Sequence, residues 1–297
     1  MNLRQLVDLC ARQLQDAQIA FGHGTDNALD EAAWLTLWQL GLPLDTPLDG
    51  PDTPASLTPE QQSACQALVA QRISTRKPAA YLTHQAWLQG YAFYVDERVI
   101  VPRSLIAELL VDGGIDYFLH QGTHKVLDLC TGNGSLAIIA AHVFPETVVS
   151  ASDLSQDALD VAAINVAQHG LQARIALLRS DGLHALALQA KGPFDLMLCN
   201  PPYVNADSMA ALPPEFRAEP AMALDGNVDG GRDGMDFVRR LLRDAPQHLN
   251  PHGVLVLEIG HERAFFEAAF PTLQAVWLPT SAGEDQVVLL TRESLIA

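Results

Sequence analysis

Apolar residues recur at helical spacing from the first positions of the chain. Leu3, Leu6, Val7, Cys10 and Leu14, interrupted by Arg4, Asp8 and Arg12, predict an amphipathic helix. A second helix is predicted over Leu29–Leu40, with Thr25 or Asp26 near its start and Gly41 and Pro43 beyond its end. A Pro- and Asp-rich linker runs from Leu42 to Thr58. Thr58 and Gln61 then form the signature of a capping box, with Pro59 at the first helical position. Leu68, Val69 and Ile73 give this third helix a buried face, and Pro78 ends it. Trp34, Trp38 and Trp87 read as core or domain-contact aromatics. From Trp87 to Val101 aromatic and β-branched residues dominate, with Gly90 between two short runs, which predicts a β-hairpin.

Near residue 105 the pattern changes to strands alternating with helices. Strands are predicted at Lys125–Leu129, Val148–Ser152, Arg174–Leu178, Phe194–Cys199 and Val254–Ile259. Two late strands, Ala275–Leu278 and Gln286–Thr291, have no helix between them and are predicted antiparallel. The expected fold class is α/β, a mostly parallel seven-stranded sheet covered by helices on both faces. The expected divisions are a helical domain over 1–80, a β-hairpin linker over 81–104 and a sheet domain over 105–297. No internal repeat or low-complexity segment interrupts them.

Composition narrows the class. A chain of 297 residues with 48% hydrophobic and 18% charged content has ample means to bury a core. Its formal net charge of −17 disfavours free nucleic acid, whose phosphates demand Lys and Arg, and suits a basic protein partner. Cys10, Cys65, Cys130 and Cys199 lack zinc or disulfide spacing, which points to reduced thiols and a cytoplasmic setting. No apolar run approaches the ~20 residues of a membrane span, and the first helix lacks a signal-peptide centre.

The chemistry concentrates at two strand ends. Asn200-Pro201-Pro202-Tyr203 follows the apolar run Phe194–Cys199, and the prolines stop that strand abruptly. Asn200 and Tyr203 are therefore held at the carboxyl edge of the sheet, where such folds bind ligands. An amide oxygen, a fixed backbone carbonyl and an aromatic face suit capture of a planar NH2 group. Upstream, Asp128-Leu129-Cys130-Thr131-Gly132-Asn133-Gly134-Ser135 joins the first sheet strand to an apolar helix. Asp153 closes the second strand nineteen residues after Gly134, placed for both hydroxyls of a ribose, and Asp181 after the third strand could meet an adenine amine. A dinucleotide fingerprint also fits Gly132, Gly134 and Asp153, so a nicotinamide enzyme and a methyltransferase compete on these residues. Asp128 favours S-adenosylmethionine, which carries a cationic amino-acid end and no phosphate, and the strand-end tetrad has no use in hydride transfer.

Together these motifs resemble the class I, Rossmann-like S-adenosylmethionine-dependent methyltransferases, and within them the glutamine methyltransferases of the HemK/Prm group. The resemblance covers nearly the whole chain and includes Val101-Pro102-Arg103 ahead of the sheet domain. It implies cofactor contacts at Asp128, Thr131, Gly132, Gly134, Asp153, Asp181 and Asn200. It implies catalytic roles for Asn200, Pro201 and Tyr203, with substrate contacts from these, Pro202 and Arg103. The first loop glycine of the release-factor branch is here Cys130, and Ser104-Leu105-Ile106-Ala107-Glu108 replaces that branch's Pro-Glu-Thr run. Leu212–Pro220 and Gly230–Asp236 are instead similar to the branch that modifies ribosomal protein L3. The implied reaction is methylation of a glutamine amide in L3, with the helical domain recognising substrate. Alternatives are a release-factor methyltransferase, a DNA adenine methyltransferase and a non-catalytic ribosome-assembly factor.

Asp225-x-Asn227-x-Asp229-Gly230, with Asp233 and Asp236, approaches a calcium loop. Its twelfth ligand is an Asp, and Pro213, Pro214 and Pro220 oppose the entering helix, so no metal is expected. His84, His142, His184 and His261 show no ligand spacing, and an acidic loop beside the active site is the preferred reading of 225–236.

Overall fold

The computed structural model describes residues 1–50, 56–120 and 122–297. Residues 51–55 of the predicted linker lie outside the described residues. The chain divides into two compact units, Met1–Ala86 with Leu212–Glu219, and Trp87–Ala211 with Pro220–Ala297.

The first unit contains helices α1 (Leu3–Asp16), α2 (Ala28–Leu40), α3 (Pro59–Thr75) and α4 (Ala79–Thr83). Asn2 and Gln5 form a capping box on α1, and Thr58 and Gln61 form the expected one on α3. The cap of α2 is Asn27, whose side chain accepts from the Asp30 amide at 3.0 Å, in place of Asp26 or Thr25. Thr25 donates its hydroxyl to Glu31 instead. Helix α3 stops at Thr75, and Pro78 sits at the N-cap of α4, a short helix not predicted. The residue before a proline disfavours the α region, which separates the two helices.

Leu68 and Val69 face inward as expected, whereas Ile73 is only half-buried and the fully buried neighbour is Arg72. Its Nε donates to Glu31 at 2.9 Å and its Nη2 to the Ala20 carbonyl at 3.3 Å. The inserted strap Leu212–Glu219 brings Glu215, which accepts from Arg76 at 3.0 Å, and Phe216, whose ring lies 4.2 Å from that of His23. Charges enter this core because they arrive paired. Trp34 is buried, Trp38 half-buried and Trp87 more exposed.

In the second part of the chain β1 (Ala86–Leu88) and β2 (Tyr91–Phe93) make the predicted hairpin, with pairing ending at Phe93. The large sheet has strands β3 (Lys125–Leu129), β4 (Val148–Asp153), β5 (Ile175–Arg179), β6 (Phe194–Cys199), β7 (Leu249–Glu258), β8 (Val276–Thr280) and β9 (Gly283–Thr291). Its order is β5-β4-β3-β6-β7-β9-β8. Neighbours from β5 through β7 are parallel, and β9 runs antiparallel to both β7 and β8. The class I methyltransferase sheet expected from the sequence is therefore present.

Between and after the strands lie α5 (Ile106–Val111), α6 (Ser135–Val143), α7 (Gln156–Gln168), α8 (Leu186–Gln189), α9 (Ala206–Ala211), α10 (Asp236–Asp244), α11 (Arg263–Ala269) and α12 (Arg292–Ile296). Alternate strand residues feed two cores. Val126, Leu196 and Val256 join Leu110 and Ile138 on one face, while Leu127, Met197 and Leu255 join Leu241 and Phe266 on the other. Strand β7 begins five residues before the predicted Val254. Asn250 there donates to Asp195 at 2.6 Å, so a polar segment is held in the ladder by a side chain of β6.

Candidate active site

Strand order reverses between β3 and β6, and the register pairs Leu129 with Cys199. The loop after β3 and the tetrad after β6 therefore emerge side by side at the switch point, where open α/β sheets bind ligands. A cavity of about 350 Å³ opens there, of a size suited to a small-molecule cofactor. Its wall includes Thr131, Gly132, Asp153, Asp181, Asn200 and Pro202, with Arg103 also present.

The loop turns through Cys130, Gly132 and Gly134 at φ of 61°, 55° and 83°. Cys130 thus takes the left-handed conformation that glycine adopts without strain, at a cost of about 1–2 kcal/mol. A Cβ at Gly132 would meet no protein atom within 4 Å, leaving that side of the cavity open to a ligand. Gly134 is placed differently from its expected cofactor contact: it caps α6 and packs toward Ala162 of α7, outside the cavity lining.

Asp128 likewise lies outside the cavity lining. Its side chain is buried beneath the loop, where one oxygen accepts from the Thr131 hydroxyl and from the Ala137 amide at 3.0 Å. Burial pushes its carboxyl up to about 7, offset in part by these two bonds. Its other oxygen is buried without a hydrogen-bond partner. Asp128 shapes the loop from below.

Asp153 does face the cavity. It accepts from the amides of Gly132 and Ser155, both at 2.9 Å, and its second lone pairs remain for ribose hydroxyls. Burial raises its carboxyl above the usual range, and those backbone bonds oppose the rise. Asp181 and Asp229 add carboxylates to the wall. These acids leave acceptors for hydroxyls, an amine and an ammonium group, and Arg98, Arg103 and Arg240 on the same wall balance their charge. The acceptors fit the ribose, the adenine amine and the ammonium end of S-adenosylmethionine.

Asn200 and Pro202 border the cavity, whereas Pro201 and Tyr203 do not. The Tyr203 ring lies against Gly260, just past β7. Backbone contacts hold this segment: the Val204 amide donates to Leu224 at 2.9 Å, and the Gly226 amide donates to Val204 at 3.1 Å.

Several contributors escaped the sequence reading. Asn165 of α7 joins both backbone groups of Tyr94 to the Asn133 carbonyl, tying the chain after the hairpin to the cofactor loop. Glu258, at the end of β7, accepts from the Ser104 hydroxyl and from the Leu105 amide at 2.9 Å. Burial pushes it up to about 7, against those bonds and the nearby Arg103 charge. Arg240 and Phe237 of α10 also reach the cavity. Their i, i+3 spacing was the available signal.

The 225–236 loop borders the cavity through Val228 and Asp229. Asp225 accepts from Asn227, and Asp236 accepts from the amides of Asp229 and Gly231. Among the described residues no group of three or more His, Cys, Asp or Glu side chains is arranged for a metal.

Residues 109–225 match the family model described as the methyltransferase small domain. A ribosomal protein uL3 glutamine methyltransferase of Bordetella pertussis is 53% identical over 296 residues, covering 99% of this chain and 96% of its own length. A protein of the same name from Neisseria gonorrhoeae is 47% identical over 298 residues, covering 99% and 96%. Among solved structures, the hMettl16 catalytic domain in complex with MAT2A 3′UTR hairpin 6 is similar in fold. Its TM-score is 0.51 at 13% identity, over 82% of this chain and 85% of that one.

Proposed function

Because this chain belongs to the ribosomal protein uL3 glutamine methyltransferase family, we propose that it transfers a methyl group from S-adenosylmethionine to a glutamine side-chain amide of ribosomal protein L3 (uL3). The observation that carries this reading is the register of β3 and β6, which sets Asn200 beside the cofactor loop. The acidity of the chain, −17 overall, suits a basic protein substrate. Among the described residues no helix is long and apolar enough to cross a membrane.

When bound, S-adenosylmethionine supplies an electrophilic methyl group on a sulfonium centre. Asp153 would hold the ribose through its free lone pairs, Asp181 would accept from the adenine amine, and Thr131 and Gly132 would border the ligand. The amide nitrogen of glutamine is a poor nucleophile because its lone pair is delocalised. Asn200 Oδ1 and the Pro201 carbonyl accept its two hydrogens, which turns the nitrogen toward the methyl group and favours positive charge developing there. Tyr203, outside the cofactor cavity and backed by Gly260, packs on the planar amide and limits its approach. Transfer would break the sulfur–methyl bond and release neutral S-adenosylhomocysteine, and the charge carried to nitrogen would leave as one proton to solvent. Arg103 contributes a cation at the substrate end. We assign substrate recognition to the helical domain, 1–80, joined through the 81–104 hairpin segment to the catalytic domain, 105–297.

Side-by-side assays with purified L3, a release factor and duplex DNA test the substrate. Methylation of L3 in clear preference is expected. Preference for the release factor would overturn the substrate, and methylation of DNA adenine would overturn the reaction class.

A further inference from the structure

Arg240 lies one turn beyond Phe237 on α10, and both side chains line the cofactor cavity. Arg240 Nη1 is 3.8 Å from Asp181 Oδ1, and Nε is 3.5 Å from Asp229 Oδ2. Nε is enclosed by protein and makes no hydrogen bond, so the guanidinium can meet a ligand in the cavity only through its Nη groups. The 3.8 Å contact of Nη1 with Asp181 is an ion pair longer than a hydrogen bond, and the Arg240 side chain is 30% exposed. An acceptor in the cavity would complete its hydrogen bonding in place of water.

The cavity wall thus places a carboxylate acceptor and a guanidinium donor side by side. The Phe237 ring is largely buried next to them, 5.7 Å from the guanidinium carbon. An acceptor–donor pair near an aromatic ring is the complement of an amine beside a ring nitrogen on a flat heterocycle. Adenine presents this pattern twice, its N6 amine flanked by N1 on one edge and N7 on the other.

We propose that Arg240 is a cofactor-specificity residue whose Nη1–H donates to the purine ring nitrogen beside the amine that Asp181 accepts, with Phe237 packing on the base. This rests on the S-adenosylmethionine reading of the cavity. Its contacts to Asp181 and Asp229 hold the guanidinium in place before the ligand arrives, so little ordering remains to oppose binding. A purine bearing an oxygen at position 6 would set that oxygen against Asp181 and leave the site's polar groups unpaired, which is a strong basis for rejection.

Calorimetry of wild type and Arg240→Met with S-adenosylhomocysteine and its 1-deaza and 7-deaza analogues tests the contact. Each analogue replaces one ring nitrogen by C–H. Wild type should bind one of the two analogues roughly tenfold more weakly than the parent ligand. Arg240→Met should bind the parent roughly tenfold more weakly than wild type does, and should no longer distinguish that analogue from it. Equal analogue penalties in both proteins would overturn the proposal while leaving the cofactor reading intact. A variant weakened only by loosening of the Asp181 and Asp229 loops would keep the wild-type discrimination and give that same refuting result. If wild type binds none of the three ligands, the cofactor reading fails and the proposal fails with it.

Discussion

Gly260→Ala probes the support of Tyr203 without substituting any residue of the tetrad or the cofactor wall. Gly260 has φ of +52°, so alanine costs about 1–2 kcal/mol in backbone strain alone. The added Cβ would lie 2.7 Å from Tyr203 Cε2 and 3.0 Å from Cζ and Oη. Ordinary carbon contacts are about 3.5–4.0 Å, so the ring must retreat by roughly 1 Å. The Tyr203 main chain cannot absorb this movement. Its carbonyl already sits where a Cβ on Gly234 would come within 2.0 Å, and the Val204 and Gly226 amides fix the next residues. The ring must rotate away from the amide it is proposed to face. A misplacement of about 1 Å near the reacting atoms can cost up to about 10²-fold. Single-turnover methylation of L3 should therefore slow by about 10- to 100-fold, with S-adenosylhomocysteine affinity within about twofold because Tyr203 is outside the cavity lining. The melting temperature should fall by about 2–8 °C from the backbone strain. A wild-type single-turnover rate in a folded variant with that thermal shift would refute the role given to Tyr203.

Asp153→Ala should weaken S-adenosylmethionine binding at least about tenfold by calorimetry, since a charge-assisted bond contributes roughly 1.5–3 kcal/mol. It also releases the Gly132 amide from its carboxylate, and unchanged affinity would mean that the end of β4 does not meet the ribose. Glu258 has its carboxyl raised to about 7 by burial, so the folded protein retains a proton that the unfolded chain loses near its ordinary value of 4.5. Its contribution to stability therefore falls as pH rises from about 4.5 to about 7 and stays lowered above that. Glu258→Gln removes this titration, and its stability relative to wild type should rise by about 2–3 kcal/mol between pH 4.5 and 8 in denaturant melts. A pH-independent difference would contradict the burial of a protonated carboxyl.

What was legible in the sequence was local. Strands β3 and β6 stand out as apolar runs cut short by a glycine loop and two prolines, and their bounds match the reading residue for residue. The Thr58–Gln61 capping box needs only residues three apart. The start of β7 was missed because Asn250-Pro251-His252 carries no strand pattern, and its partners, Asp195 at 55 positions and Glu293 at 41, are distant in sequence. Arg72 reads as a surface charge until Glu31, 41 positions away, is brought beside it. In the site, the glycine loop and tetrad were visible as motifs, but side-chain direction was not used fully. Asp128 alternates with Leu127 and Leu129, whose side chains enter the core on the opposite face from Val126. That two-residue period directs Asp128 under α6, where it accepts from Ala137.

Single-turnover methyl transfer to L3 by Asn200→Ala, with the modified residue mapped by mass spectrometry and S-adenosylmethionine affinity measured in parallel, tests the central claim most directly. Asn200 ends β6 beside the cofactor loop and is proposed to hold the target amide in the transition state. Wild type should place one methyl group on a glutamine side chain of L3. The variant should transfer it on the order of 10²-fold more slowly or worse while binding the cofactor nearly as well. A wild-type rate in Asn200→Ala, or a methyl group found on a residue other than glutamine, would contradict the account.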